Sequence, residues 1–314
     1  MERTHRKYNN TLPRKTAMAA PVQKVAINGL LNDVTFQRAR YCLEDLISKY
    51  GSDIFVEPVI NGMLEFEWDL FIDAKKKELR GETWTFEDKA ICFVNGQLLG
   101  GPDKFIDWAE ENYGFEEFRP LPLYSTLTEE SYKNHLNCNN HEYIYMDISV
   151  GEKATGRLVI ELFTDLVPRT CENFKALVTG EKGVSPESDY KLHYKNSLFH
   201  RIVPKGWIQG GDIYHSRGNG GESINGPVFE DENFAVSHSK RGIVGMANRG
   251  RHTNGSQFYI TLEPTKWMDT KYVAFGQIIE GTETLRQMEE QETMNERPNT
   301  EIKITDCGVC TYEF

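Results

Sequence analysis

Phe199-His200-Arg201-Ile202-Val203-Pro204, followed shortly by Gln209-Gly210-Gly211-Asp212, opens the series of blocks that decides the fold of the second half of the chain. After it come Phe229-Glu230-Asp231-Glu232-Asn233-Phe234, Gly245-Met246-Ala247-Asn248, Asn254-Gly255-Ser256-Gln257-Phe258-Tyr259-Ile260-Thr261, Trp267-Met268-Asp269 and Val273-Ala274-Phe275-Gly276. Singly, these blocks say little. Arg201 alone reads as a surface arginine, and each aromatic alone reads as ordinary core. Together and in order they are far more specific than any one short motif.

The flanking sequence sets the context. From Tyr143 to Val150 apolar and polar positions alternate, Gly151 to Gly156 turns, and Arg157 to Phe163 alternates again, which predicts a hairpin. A helix then opens at Pro168 and stops at Gly180, and the rest of this half reads mostly as strand. Residues 115–142, rich in Pro, Glu, Thr and Asn, read as a linker too irregular for a long helix.

Upstream, Val22 to Leu31 predicts a strand, and Phe36, Ala39, Leu43, Leu46, Ile47 and Tyr50 mark one helix face that stops at Gly51. A second extended run (Asp53 to Ile60), a second helical stretch (Met63 to Leu79), a hairpin turning at Asn95-Gly96 and a helix from Pro102 to Tyr113 complete an α/β layer over residues 21–114. This β-α-β-α-β-β-α order resembles the thioredoxin/glutaredoxin fold. The redox Cys-x-x-Cys of that family would fall in Leu31-Asn32-Asp33-Val34-Thr35-Phe36, which holds no sulfur, so the domain reads as a docking module without redox cysteines.

Length and composition agree with two folded domains. The 314 residues carry 36 Lys+Arg against 47 Asp+Glu, a net charge of -11 that argues against nucleic acid as partner. Residues 1–20 form a basic head, expected to be disordered: Arg3, Arg6, Lys7, Arg14 and Lys15 stand against the single acid Glu2. The head is expected to stay solvated, with docking on an acidic surface as the alternative. It lacks the apolar core of a secretory signal, and no apolar run is long enough to span a bilayer, so an intracellular protein away from membranes is expected. Six scattered cysteines predict reduced structural thiols, Cys307 and Cys310 included. The eight His never fall at a metal-ligand spacing, so no metal or cofactor is expected. Gly218-Asn219-Gly220-Gly221 lacks the strand-to-helix context and the following Gly-Lys-Ser/Thr of a phosphate loop.

In their order, the blocks from about Tyr143 to Cys310 resemble the cyclophilins, the peptidyl-prolyl cis-trans isomerases, in a version with a long N-terminal extension. The resemblance implies a closed antiparallel β-barrel with two helices over residues 143–314. It also implies isomerisation of X-Pro bonds in protein clients without cofactor, assisting folding or conformational switching. Arg201 matches the catalytic arginine, Gln209 the residue that holds its head group, and Asn248 the residue whose backbone holds the peptide extended. Trp207, Met246, Tyr259 and Met268 would wall the proline pocket with Gln257 at its side, and His200, Gly218, Ala247, Trp267 and Tyr272 would line the groove.

The departures from the family pattern weaken that reading. Gly206-Trp207 stands where the family has Phe-Met, so one wall aromatic is missing. Arg249 and Tyr272 replace a small residue and a His, and Tyr259 stands where Phe is equally common. Cyclosporin-type ligands are therefore expected to bind poorly. The alternative function is a weakly active or inactive cyclophilin serving as a proline-binding or structural part of a large assembly, for example a ciliary axoneme, reached through the N-terminal domain and basic head.

Overall fold

The computed structural model describes residues 22–139 and 141–312, so the basic head lies outside it. The described residues divide into two compact units: residues 22–28, 35–61 and 88–119 form one, and residues 29–34, 62–87 and 120–312 the other.

The N-terminal layer runs β1 (Val25–Leu30), α1 (Val34–Tyr50), β2 (Val59–Met63), α2 (Glu65–Leu79), β3 (Ala90–Val94), β4 (Gln97–Gly100) and α3 (Pro102–Tyr113), with sheet order β2-β1-β3-β4. Helix α1 buries Phe36, Ala39, Cys42, Leu43 and Leu46, the stripe that the 3.6-residue period demands. Asn95 (φ 52°) and Gly96 (φ 77°) are both left-handed, the turn that joins β3 to β4 without splaying them. The expected second strand begins later than Asp53. Glu57 has φ 48° and Pro58 donates no N–H, so regular pairing starts only at Val59.

The second unit contains α2 and a helix where the sequence predicts a linker. α4 spans Leu121–Asn137, and its buried face is Tyr124, Thr128, Tyr132 and Leu136. The prolines that suggest irregularity occupy its N-cap (Pro120) and first turn (Pro122), where a missing N–H costs nothing. Thr128 interrupts the apolar pattern, yet its hydroxyl donates to the Tyr124 carbonyl at 2.7 Å and so can be buried.

The predicted hairpin is β5 (Glu142–Val150) and β6 (Lys153–Leu162), and the predicted helix is α5 (Pro168–Thr179), closed by Gly180 at φ 69°. There follow β7 (Leu198–Phe199), β8 (Arg201–Val203), β9 (Trp207–Gly210), β10 (Ile243–Met246), β11 (Phe258–Thr261), β12 (Ala274–Glu280), α6 (Thr282–Glu289), a hairpin of β13 (Thr293–Met294) and β14 (Arg297–Pro298), and β15 (Ile302–Cys310). The nine-stranded sheet has the order β7-β15-β5-β6-β12-β10-β11-β9-β8. Its two edge strands, β7 and β8, are separated only by His200, so the sheet all but closes into an antiparallel barrel.

Strand parity fills this barrel. Ile202, Ile208, Val244, Met246, Phe258 and Ile260 point inward to a core that α5 completes with Phe174, Leu177 and Val178, and α6 with Leu285 and Met288. The Phe174 ring lies 4.7 Å from Phe275 and 5.1 Å from Phe258, centroid to centroid. Each such fully buried side chain contributes about 1.5–3 kcal/mol. Phe66 of α2 belongs to the same core.

Carboxylates from distant segments cap both of these helices. Glu232 accepts from the Arg169 and Thr170 amides of α5 (3.1 and 2.8 Å), and Glu65 from the Gly281 and Thr282 amides at α6 (2.8 and 3.1 Å). All six cysteines are free thiols. Cys307 and Cys310 lie three apart on β15 and so point to opposite faces of the sheet.

Candidate active site

The closing strands carry the candidate catalytic residues. Register pairs Arg201 with Gln209 and Gln209 with Tyr259, so β8, β9 and β11 place these three in one row on the outer face of the barrel. Trp207, two residues before Gln209, shares that face. The inner face of the same strands is core, which is why the row is rigid.

Four groups are joined by direct contacts. The Arg201 guanidinium carbon lies 5.2 Å from the Trp207 ring centroid, within cation–π range. Trp207 Nε1 donates to Gln209 Oε1 at 3.4 Å, Gln209 Nε2 donates to Gln257 Oε1 at 2.9 Å, and Gln257 Nε2 donates to the Gly220 carbonyl at 2.8 Å. Gln209 therefore does not hold the Arg201 head group; its amide is spent on Gln257. The partner of Arg201 is Glu296, whose Oε2 accepts from Nε at 2.7 Å. No described residue hydrogen-bonds the two Nη groups of Arg201, so their donors remain for a ligand.

Gln209 and Gln257 also border a cavity of about 560 Å³ that includes Gly218, Ala247, Asn248 and Arg249 among its lining residues. Its wall from Tyr214 to Gly220 is shaped by Asp212. That fully buried carboxylate accepts from the backbone N–H groups of Tyr214, His215, Arg217, Gly218, Asn219 and Gly220 at 2.8 to 3.2 Å. Burial alone would raise the Asp212 pKa, but these amides outweigh it and hold the carboxyl below the usual range. Arg249 Nη2 donates to the Asn219 carbonyl at 2.8 Å across the same cavity.

Asn248 is fixed by its side chain. Nδ2 donates to the Lys271 carbonyl (3.1 Å) and Oδ1 accepts from the Gly250 amide (3.2 Å), while no described residue takes its backbone N–H or C=O. Those two backbone groups form an open edge for an extended peptide.

The remaining predicted residues divide between groove and core. Trp267 is 53% exposed, with its ring 5.8 Å from that of Trp207, and Tyr272 meets Tyr259 edge-on at 5.8 Å. Met268 is buried in a short turn of 3-10 helix, and Tyr259 is buried with Oη 2.5 Å from His238 Nε2. His238 Nδ1 lies in turn 2.7 Å from Asp269 Oδ1. Burial pushes His238 down despite Asp269, so its neutral ring accepts the Tyr259 hydroxyl. Met246 is not a groove wall. Its strand parity sends it inward beside Phe258 and Val244, and Gly245 takes the outer position. His200 is buried under Gly218, where a Cβ would stand 2.7 Å from the imidazole, and burial lowers its pKa.

Glu296 and Asp212 hold parts of this site in place, and motif reading does not assign either. Asp212 stands in the quoted Gln-Gly-Gly-Asp block. Glu296 leaves one signal, an Asn295-Glu296 pair at a hairpin turn that favours Asn-Gly.

Comparison with known proteins agrees with this geometry. Residues 145–309 match the model of the family described as cyclophilin type peptidyl-prolyl cis-trans isomerase/CLD. The chain is 48% identical over 288 residues to the "probable inactive peptidyl-prolyl cis-trans isomerase-like 6" of Homo sapiens, covering 92% of each chain. The proteins of the same name from Mus musculus (48% over 289 residues, 92% of each) and Bos taurus (46% over 288 residues, 92% of this chain and 93% of the relative) are similarly close. A nine-stranded sheet that all but closes into a barrel at His200, the Arg201-Gln209-Tyr259 row on its outer face and these matches lead to one conclusion: the chain belongs to the cyclophilin-type peptidyl-prolyl cis-trans isomerases.

Proposed function

We propose that the barrel unit holds X-Pro segments of protein clients in an extended pose and isomerises them weakly, with Arg201 as the electrostatic catalyst. The observation that carries this reading is Arg201 itself: half-buried on the groove row, ion-paired only through Nε, with both Nη groups available.

The chemistry follows from the peptide bond. Its rotation barrier of about 18–20 kcal/mol arises from delocalisation of the nitrogen lone pair into the carbonyl. As the bond twists, the lone pair localises on the prolyl nitrogen, and a guanidinium N–H placed there stabilises the twisted state more than the planar one. The Asn248 backbone edge would hold the chain upstream of the proline, and Trp207, Tyr259 and Met268 would receive the ring. X-Pro bonds suit such a site because both isomers are populated and exchange slowly.

Two features favour weak turnover. Gly206 leaves one side of the proline pocket without an aromatic wall, and Glu296 sets a carboxylate on the catalytic cation. The names of the relatives, "probable inactive", support the same side. The N-terminal layer, with no cysteine between Leu31 and Phe36, serves in this reading as a docking module that brings the barrel to an intracellular assembly.

The test is exchange spectroscopy on a short X-Pro peptide with the full chain and with Arg201→Ala. Slow but measurable acceleration that disappears in Arg201→Ala is the expected result. Peptide binding at Trp207 and Asn248 without any acceleration would leave a proline-binding module and remove the enzyme.

A further inference from the structure

We infer that Glu296 is a built-in restraint on Arg201: a positioning residue that fixes the guanidinium through Nε and lowers its catalytic strength. The inference rests on the reading of Arg201 as catalyst.

The backbone supplies the first argument. Asn295 (φ 51°) and Glu296 (φ 64°) are consecutive left-handed residues in the turn between β13 and β14, where Met294 pairs with Arg297. Asn suits the first of these positions, and the second is ordinarily glycine, because a Cβ is strained there. A glutamate in that place is steric expense without local return. Its side chain finds its return 95 residues away in sequence, on Arg201.

The second argument is rigidity. The Glu296 carbonyl accepts the amide of Ile202, the residue after Arg201, at 2.7 Å, and Arg297 Nη2 donates to the Arg217 carbonyl at 3.1 Å. The Asn299 amide closes the hairpin base on the Glu292 carbonyl at 2.9 Å. The turn is thus fastened to β8 on one side and to the Asp212-templated wall on the other. The carboxylate is delivered to Arg201 by a held backbone, unlike a long side chain on a free surface.

The third argument is electrostatic. Arg201 stabilises the twisted peptide through the positive field at its Nη donors. A carboxylate on Nε offsets part of that field, most of all in the twisted state where the lone pair is localised on the prolyl nitrogen, and it keeps the head group over Trp207. Both side chains are about two-fifths exposed, so solvent screens the pair and its effect is modest.

The experiment measures kcat and KM for a short X-Pro peptide by exchange spectroscopy on the full chain, Glu296→Gln, Glu296→Gly, Arg201→Ala and the Arg201→Ala/Glu296→Gln double variant. Glu296→Gly also relieves the turn, which guards against misfolding as an explanation. The expected result is a rise in kcat of about two- to fivefold in both Glu296 variants, the size of a screened ion pair, with KM little changed. That gain should vanish in the double variant, and the Arg201 Nε–H resonance should exchange faster with water once the carboxylate is gone. A hairpin with only a structural role would lower kcat in Glu296→Gln. Wild-type activity that depends on Arg201 but does not rise in either Glu296 variant overturns the restraint and leaves the isomerase reading standing. Absence of acceleration in the wild type and in both Glu296 variants, with peptide still bound, overturns both.

Discussion

The buried carboxylate of Asp212 accepts the backbone amide of Gly218 at 2.8 Å, and through it a side chain with no access to the groove sets the groove's shape. The same oxygens receive five further amides, and the loop ends at Gly220, whose carbonyl accepts Gln257. Asp212→Asn replaces an ionic acceptor by a neutral one that also brings unwanted donors. The expected cost is about 2–3 kcal/mol in denaturant unfolding, the scale of hydrogen bonds to a charged group. Because the folded carboxyl is held below its ordinary 3.8, its stabilisation is complete above that pH and is lost as pH falls through the folded value. The variant should flatten that acid limb and broaden the amide resonances of residues 214–220. An unchanged unfolding midpoint would show that the loop holds itself.

Gly206→Phe restores the missing wall. A Cβ there would meet Val203 Cγ1 at 3.1 Å and the Val203 carbonyl at 3.3 Å, so Val203 must shift by a few tenths of an ångström. A new aromatic beside Trp207 should tighten an X-Pro peptide by about 1 kcal/mol, roughly fivefold in Kd. Cyclosporin-type cyclic peptides, expected to bind the wild type poorly, should gain by the same mechanism. Calorimetric titration of both ligands reads this directly, and equal affinities would mean that Trp207 and Trp267 already close the pocket.

What the sequence announced and what it hid differ by the range of the interactions involved. Pro168 and Gly180 bracket α5, Pro102 and Gly114 bracket α3, and the alternation from Tyr143 to Phe163 marks its hairpin, because caps and periodicity are local. α4 escaped because its buried face includes Thr128, whose satisfaction by the Tyr124 carbonyl shows only in three dimensions. The resemblance implies Gln209 on Arg201, yet side-chain amides go where long-range register sends them, here to Gln257, 48 residues on. Met246 was legible in principle. Parity with Val244 sends it inward, whereas the resemblance alone implies a groove position.

Thiol chemistry separates Cys138 from the other cysteines. Cys42 and Cys307 are buried, and burial pushes both thiols up to about 12, so almost none of either is thiolate at neutral pH. Cys92, Cys171 and the half-buried Cys310 are also raised by burial. Cys138 alone is exposed. Reaction of the native chain with an aromatic disulfide reagent should show one fast thiol, abolished by Cys138→Ser, with the buried thiols released only on unfolding. A second fast thiol mapped to Cys42 or Cys92 would reopen redox chemistry in the first unit.

His141 sets the alkaline side of the stability profile. Its Nδ1 lies 2.7 Å from Glu161 Oε1 and its Nε2 2.9 Å from Asp165 Oδ1. Burial alone would lower its pKa, but the two carboxylates outweigh burial and raise it above the ordinary 6.5. The folded state therefore binds the proton more tightly than the unfolded chain does. The stabilisation is complete below the unfolded value and is lost as pH rises through the folded one. His193, His200 and His238 are shifted down by burial and give the opposite slope: their contribution is complete above 6.5 and is lost as pH falls through their folded values. Urea unfolding across pH 5 to 8, below the range in which the thiols of the unfolded chain ionise, should thus pass through a maximum near neutrality. His141→Gln should remove the decline on the alkaline side and leave the acid side as it was. If the alkaline decline survives that substitution, the Glu161–His141–Asp165 bridge is not its source.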